Sequence, residues 1–186
     1  VWSSVASSSD GVNLVAVDYG GLIYTSTDSG VNWTSQYSSG GWVDVASSSD
    51  GVKLVVVETG GQIYTSTDSG VNWTARDSSR AWSSVASSSD GVNLVAVVNA
   101  GQIYTSEDSG ATWTARDSSR AWYAVASSSD GSKLVAVAYG GQIYTAAAAA
   151  SERQSCKIEA QVNRDTAASS ITVDDTVPLA LSGSTW

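Results

Sequence analysis

Apolar and polar positions recur along this chain with a period of 40 residues. The segment WSSVASSSDGVNLVAVDYGGLIYTSTDSGVNWT begins at Trp2, and close copies begin at Trp42, Trp82 and Trp122. The fourth copy stops at Thr145, so that AAAAASERQ stands where the phrase STDSGVNWT is due. Self-similarity at this period, with several short apolar runs in each copy, is typical of propeller blades.

Each copy contains four predicted strands separated by turn signals. Alternating large residues in WSSVAS predict the first strand, and the continuous run LVAV fits a second strand that is buried on both faces. IYTS and NWT predict the third and fourth strands, and Asp-Gly, Gly-Gly and Asp-Ser-Gly supply the turns between them. The copies have no capped segment with a helical period. We therefore predict an all-β propeller of four blades, each with four antiparallel strands.

The predicted blades cover residues 1–41, 42–81, 82–121 and, incompletely, 122–145. Residues 146–186 form an Ala/Ser/Thr-rich tail, in which the five alanines are either a linker or placeholders for unidentified residues. The tail's apolar segment 171–181 is predicted to form an edge strand, on its own blade or on a neighbouring molecule.

Four blades are few for a closed ring. The chain is therefore either a small ring sealed by its tail or a segment of a larger propeller or assembly, and its start within a repeat at Val1 indicates a processed chain or a piece of a longer one.

The nine-residue phrase has the pattern Ser-x-Asp-x-Gly-x-(Asn/Thr)-Trp. Its carboxylate can accept hydrogen bonds from backbone N–H groups of its own turn, its glycine can take a positive φ, and its Trp can bury a large apolar surface. We therefore predict a structural role for its defining residues, which are Ser26, Asp28, Gly30 and Trp33, then Ser66, Asp68, Gly70 and Trp73, then Ser106, Asp108, Gly110 and Trp113.

This pattern resembles the Asp-box, or BNR repeat, of sialidases, sortilin-type receptors, photosystem II assembly factors and many secreted proteins. The resemblance covers residues 1–145 and implies a propeller with the box between the third and fourth strands of a blade. Because the box is structural wherever it occurs, the resemblance implies a fold and not an activity.

Composition excludes several classes of function. The net charge of −9 disfavours binding to nucleic acid, and no apolar run reaches the roughly 20 residues that span a membrane. The chain has no His and a single Cys, Cys156, so that an intrachain disulfide, His-based triads and the usual zinc sites are excluded. We predict neither a cofactor nor a metal.

Sialidase resemblance implies three substrate-binding arginines from different blades and an Arg-Ile-Pro segment. That segment is absent, and four of the six arginines lie in two copies of one loop, ARDSSRAW, so that they follow the repeat. Three acids that occur once each in the repeat, Asp18, Asp44 and Glu58, could form a glycosidase pair, but we interpret them as solvated loop acids. The chain is predicted not to be an enzyme, and a sialidase-like glycoside hydrolase is the remote alternative.

Ligand contacts are predicted where the copies differ. Variation is concentrated in the turn between the second and third strands and in the connection between blades, two loop sets that meet on the face opposite the box. The candidate contacts are Tyr19, Glu58, Arg80, Asn99 and Tyr139. Two Asn-Trp-Thr sequons make Asn32 and Asn72 either glycosylation sites or hydrogen-bonding members of the turn.

These patterns together predict a non-catalytic structural or adhesive propeller module of an extracellular or cell-surface assembly. Its predicted partners are other protein chains or copies of itself, bound through edge strands, and glycans. A carbohydrate- or protein-binding module attached to an enzyme is the alternative, and a photosystem assembly factor is a more distant one.

Overall fold

The computed structural model describes residues 1–147, which form eleven β-strands and contain no helix. We number the repeats as unit 1 (residues 1–41), unit 2 (42–81), unit 3 (82–121) and unit 4 (122–147). The strands are β1 (Trp2–Ser7), β2 (Leu14–Asp18), β3 (Ile23–Ser26), β4 (Thr34–Tyr37), β5 (Trp42–Ser47), β6 (Leu54–Ser66), β7 (Thr74–Ser87), β8 (Leu94–Ser106), β9 (Thr114–Ser127), β10 (Lys133–Ala138) and β11 (Ile143–Ala147).

Unit 1 is a four-stranded antiparallel sheet in the chain order β1-β2-β3-β4. Ser7 pairs with Leu14, Leu14 pairs with Ser26, and Thr25 pairs with Thr34, so that consecutive strands form a meander. The Asp-Gly turn that joins β1 to β2 has Gly11 at φ 71° and recurs with a positive φ in every unit. The four strands that the sequence predicts for a unit are confirmed here.

Units 2, 3 and 4 are joined into one seven-stranded antiparallel sheet, in the order β11-β10-β9-β8-β7-β6-β5. In this sheet β6 and β8 each cover the positions of β2, β3 and the turn between them, and β7 and β9 each run from one unit into the next. The sequence predicts separate strands instead. The strands run on because Thr59 pairs with Ala81 and Gly61 with Arg80 within unit 2, whereas Tyr19–Gly41 is an isolated bridge in unit 1.

The hydrophobic core lies between units, in three clusters, one for each junction. At the first junction Val15, Val17 and Ile23 of unit 1 pack against Trp42 and Val45 of unit 2. The equivalent residues of units 2 and 3, and of units 3 and 4, form the other two clusters. Trp42, Trp82 and Trp122 are at most 1% exposed. Because burial of an aromatic ring removes a large apolar area from water, these junctions contribute much of the stability of the fold.

Hydrogen bonds also link each unit to the next. The N–H of Ser9 donates to the carbonyl of Ser49, Ser49 donates in the same way to Ser89, and Ser89 to Ser129, each at 2.7 Å. We call this row the serine ladder. Its regular spacing shows that the units are stacked by one repeated operation.

The described residues end shortly after the repeat does. Strand β11 continues past Thr145, and Ala146, at the position of Ser26, Ser66 and Ser106, is buried in the junction between units 3 and 4. The predicted strand at 171–181 lies outside the described residues, as does Cys156. Within residues 1–147, no helix is long and apolar enough to cross a membrane.

Candidate functional site

The repeated phrase forms a compact turn between the third and fourth strands, which we call the Asp turn (residues 26–33, 66–73 and 106–113). In the second copy the buried Ser66 hydroxyl donates to Asp68 Oδ1 at 2.8 Å and accepts the Gly70 N–H at 2.9 Å. Asp68 Oδ1 also accepts the N–H of Asn72 at 2.9 Å. Gly30, Gly70 and Gly110 have φ of 83–87°. The carboxylate and the glycine thus take part in the hydrogen bonds and the backbone conformation that close this turn.

The turn's Trp packs between units. Trp73 lies against the cluster between units 1 and 2, and Trp113 lies against the cluster between units 2 and 3. Trp33, which has no preceding unit within the described residues, is 44% exposed. The ring therefore anchors its turn mainly by contact with the neighbouring unit, which a repeat pattern alone does not reveal.

Hydrogen bonds hold the Asp-turn carboxylates in their charged form. The backbone and side-chain amides of Asn32 donate to Asp28 and lower its pKa, with a smaller contribution from the Ser26 hydroxyl. In the third copy the Thr112 side chain is the largest cause of the lowered pKa of Asp108. These carboxylates are acceptors in the folded turn and are not suited to act as proton donors near neutral pH.

The two sequons belong to this network. Asn32 Nδ2 donates to Asp28 Oδ2 at 2.6 Å, and Asn72 Nδ2 donates to Asp68 Oδ2 at 2.7 Å. Thr112 Oγ1 makes the equivalent bond to Asp108 Oδ2 at 2.6 Å. The geometry supports the interpretation of Asn as a replacement for the turn's Thr.

The opposite edge of the molecule contains the variable loops, and we call it the variable edge (turns 18–22, 58–62, 98–102 and 138–142, with connections 35–41, 75–81 and 115–121). β-Bridges join each of the first three turns to the connection that follows it, for example between Asn99 and Ala121. The structure thus brings together the two loop sets that the sequence analysis singles out. Tyr19 and Tyr139 are 54% and 81% exposed, and Asn99 is exposed as well.

The other two predicted contacts have partners within the fold. Glu58 Oε1 accepts the N–H of Gly41 at 3.0 Å. The Arg80 guanidinium lies 4.5 Å from the ring centroid of Tyr104 in the next unit and pairs with Asp77 at 3.5 Å. Arg120 repeats this arrangement with Tyr144 at 4.7 Å. Because a guanidinium over an aromatic face is a stabilising contact, Arg80 helps to close the junction between units 2 and 3.

At the first junction Tyr37 takes the role of the arginine. Gly40 stands at the position of Arg80, and the Tyr37 ring lies 5.5 Å from that of Tyr64 and 6.0 Å from that of Trp42. The sequence carried a signal for this exchange, because the connection loses its arginine in the copy that gains a tyrosine.

Tyr123 is an exposed aromatic residue outside the predicted set of ligand contacts. It occupies the position of Ser3, Val43 and Ser83, is 63% exposed, and has its ring centroid 6.4 Å from that of Tyr139. The two rings form an exposed aromatic pair at the variable edge of unit 4. The sequence signal for Tyr123 is the change of residue class at a repeated position.

The acids that break the repeat are each held by hydrogen-bond donors. The Val1 ammonium donates to Asp18, and Asp44 lies within β5, not in a loop. Asp44 Oδ1 accepts the Ser4 hydroxyl at 2.7 Å, and its Oδ2 accepts the Ser84 hydroxyl at 2.7 Å and the Val85 N–H at 3.0 Å. The interpretation of Asp44 as a solvated loop acid is therefore wrong, because its carboxylate bridges three units.

Two small clefts open on the edge that contains the Asp turns. Each has a volume of about 10 Å³, enough for roughly one water molecule, and they are lined in part by Leu54 and Leu94. Ligand pockets usually exceed about 300 Å³, so neither cleft is suited to a drug-sized molecule. Residues 1–147 contain no group of three or more His, Cys, Asp or Glu that could hold a metal ion.

Comparison with known proteins identifies a fold. No protein-family model and no curated protein sequence matches the chain. Among solved structures, YCF48 bound to D1 peptide is 17% identical with a TM-score of 0.62, over 84% of this chain and 53% of that one. An ancestral GH74 enzyme is 16% identical with a TM-score of 0.64, over 77% of this chain and 22% of that one. The computationally designed Ika4 protein is 13% identical with a TM-score of 0.65, over 80% and 92%.

YCF48 and the GH74 enzymes are β-propellers, and the likeness shows that this chain has a fold of the same kind. The chain spans about half of the YCF48 chain and about a fifth of the GH74 enzyme. At these identities the likeness concerns the fold alone.

Proposed function

We propose that the chain is a non-catalytic, protein-binding propeller module whose contact surface is the variable edge. The observation that carries the proposal is the exposed pair Tyr123 and Tyr139, with Tyr19 and Asn99 on the same edge. Tyr is enriched at protein interfaces because it offers a large, rigid contact area with a polar end. The similar YCF48 structure, which was solved with a bound peptide, supports a protein ligand for this fold.

In this proposal the four units are blades and the three Asp turns are Asp-boxes. Their hydrogen bonds and their position between the third and fourth strands support that assignment. We place the module in an extracellular or cell-surface assembly, in keeping with its Ser/Thr-rich, acidic sequence. Protease treatment of intact cells tests the location, because a surface protein is digested while a cytosolic marker is spared.

The arginines support a role without catalysis. Arg76 and Arg116 donate from Nε to Thr65 and Thr105, each at 3.0 Å, and Arg80 and Arg120 stack on tyrosines of the next unit. All four therefore have structural partners in repeated positions. We expect the chain not to hydrolyse any of a panel of chromogenic glycosides, sialosides included. Hydrolysis that is abolished by Asp44→Asn would contradict the proposal.

Selection of peptides on the immobilised chain tests the binding surface. We expect Tyr139→Ser to weaken the selected peptides about tenfold, since truncation of a central interface tyrosine commonly costs that much. Tyr123→Ser should weaken them similarly. Val31→Ser, in an Asp turn and 78% exposed, is the matched control on the opposite edge and should have no effect.

Peptides that bind both tyrosine variants as tightly as the unaltered chain would refute the variable edge as the binding surface. Glycans that bind the chain in an array and are lost with Tyr139→Ser, in the absence of any peptide ligand, would replace the protein-binding proposal with the carbohydrate-binding one.

A further inference from the structure

Every junction between units is made by the same two surfaces. The outgoing face of a unit carries two valines and an isoleucine, at the positions of Val15, Val17 and Ile23. The incoming face of the next unit carries Trp, Val, Leu and an aromatic residue, at the positions of Trp42, Val45, Leu54 and Tyr64. The two faces pack together at all three junctions.

One face of each kind is left exposed within residues 1–147. On the incoming face of unit 1, Trp2 is 63% and Val5 is 72% exposed, whereas Trp42 and Val45 are 1% and 5% exposed. On the outgoing face of unit 4, Val135 and Ile143 are 37% and 44% exposed, whereas their counterparts Val15 and Ile23 are at most 1% exposed. The two exposed faces therefore have the composition of surfaces that are buried elsewhere in the same chain.

The polar groups at these faces are complementary as well. The serine ladder leaves the carbonyl of Ser9 at one end and the N–H of Ser129 at the other, because no fifth copy follows within residues 1–147. A second row runs beside it: Asn13 Nδ2 donates to the carbonyl of Asp50 at 2.9 Å, and Lys53 Nζ donates to that of Asp90 at 2.9 Å. Lys133 holds the donor position on unit 4.

We propose that two copies of this chain associate head to tail, with the outgoing face of unit 4 in one copy packed on the incoming face of unit 1 in the other. The occupant is a second copy because this pair of faces already packs three times within the chain. The contact joins two different surfaces, so that it repeats until a ring closes or a filament grows. The contact would also cover Tyr123, because its counterpart Val43 packs in the junction between units 2 and 3. Tyr19 stays 54% exposed beside a formed junction, so that association and peptide binding compete at Tyr123 and not along the whole variable edge.

Two variants that each block one face test the proposal. Val5→Asp places a charge on the incoming face, and Ile143→Asp places one on the outgoing face. Sedimentation should show that the unaltered chain associates as its concentration rises and that each variant alone is monomeric. An equimolar mixture should give one-to-one dimers and nothing larger, because one matching pair of faces remains. Val71→Asp, 62% exposed in the Asp turn of the internal unit 2, should associate like the unaltered chain.

Two results would overturn the proposal. The first is an unaltered chain that stays monomeric at every concentration, as it would if its own residues covered an end face. The second is a blocked variant that still dimerises alone, which would indicate a two-fold contact. If circular dichroism shows a variant to be unfolded, hydrogen exchange on the unaltered chain decides the question. The Ser129 amide should exchange more slowly in concentrated than in dilute protein, and an unchanged rate refutes the contact.

Discussion

Trp2 and Trp82 occupy the same repeated position and have opposite environments. Trp82 is 1% exposed between units 2 and 3, whereas Trp2 is 63% exposed and contacts Tyr24 of its own unit edge to face, with ring centroids 5.3 Å apart. The sequence around the two residues is nearly identical, so that only the presence of a preceding unit distinguishes them. The difference shows that a unit of this fold does not bury its own core, and that stability arises where two units meet.

The largest expected difference in stability is between variants that truncate these two tryptophans. Trp82→Ala should lower the free energy of unfolding by about 3–5 kcal/mol, because it empties a fully buried site. Trp2→Ala should lower it by about 1 kcal/mol or less, since the change removes a half-exposed edge-to-face contact. Urea unfolding of both variants measures the difference.

Those measurements need dilute protein, because Trp2 lies on the face that we propose to be covered by a second copy. Equal losses of stability for the two variants in dilute protein would mean that Trp2 is buried in solution. The comparison between terminal and internal units would then be invalid.

The sequence predicted the contents of a unit better than the contacts between units. The antiparallel strands of unit 1 follow from local patterns and are confirmed. The positive φ of Gly70 and the hydrogen bonds of Asp68 are likewise local to one turn. The serine ladder and the contact of Arg80 with Tyr104 depend on groups far apart in the chain. Local periodicity carries no information about such pairs.

Asp44 shows the same limit for a candidate site residue. As a single acid among Ser4, Ser84 and Ala124 at the repeated position, it has the appearance of a functional departure from the repeat. Its four hydrogen bonds instead connect units 1, 2 and 3. A departure from a repeat therefore marks a candidate for function, and the neighbouring units decide whether it is structural.

The second prediction concerns substitution of Asp44, which removes the carboxylate that connects the three units. Asp44→Ala should lower the free energy of unfolding by about 2–3 kcal/mol, because the N–H of the buried Val85 loses its acceptor. Asp44→Ser, which introduces the residue found in units 1 and 3, should cost less. Ser84 Oγ already accepts the N–H of Val125 at 3.4 Å in that position. Urea unfolding that does not distinguish the two variants would show that the carboxylate connects nothing.

The third prediction concerns the stability of the fold at low pH. Hydrogen bonds lower the pKa of seven turn carboxyls below the ordinary value of about 3.9, namely those of Asp10, Asp28, Asp50, Asp68, Asp90, Asp108 and Asp130. Between the lowered pKa values and the ordinary one, the unfolded chain binds more protons than the folded chain. The stabilisation is therefore complete above about pH 5 and is lost progressively as the pH falls through 4.

Melting curves between pH 7 and pH 2.5 test this expectation. With no His in the chain, the melting temperature should change little from pH 7 to pH 5 and fall below pH 4. Asp68→Asn should reduce the slope of the fall, because it removes one of the seven titrating groups. A melting temperature that stays constant down to pH 2.5 would mean that the turn carboxyls do not favour the folded state.

The smallest effect is expected at Asn72, within a single Asp turn and away from the junction core. Asn72→Thr should change the melting temperature by less than about 1 °C, because Thr112 already makes both bonds to its carboxylate in the third copy. Asn72→Ala keeps the backbone N–H bond to Asp68 and loses the side-chain bond, so that a fall of about 2 °C is expected.

Both substitutions remove the sequon. If the protein purified from its native source loses mass on glycosidase treatment and the Thr variant does not, Asn72 carries a glycan; if neither loses mass, its amide serves the turn alone. Equal melting temperatures for the Ala and Thr variants would show that the side-chain bond adds nothing, and that the backbone bonds and the Trp packing hold the turn without it.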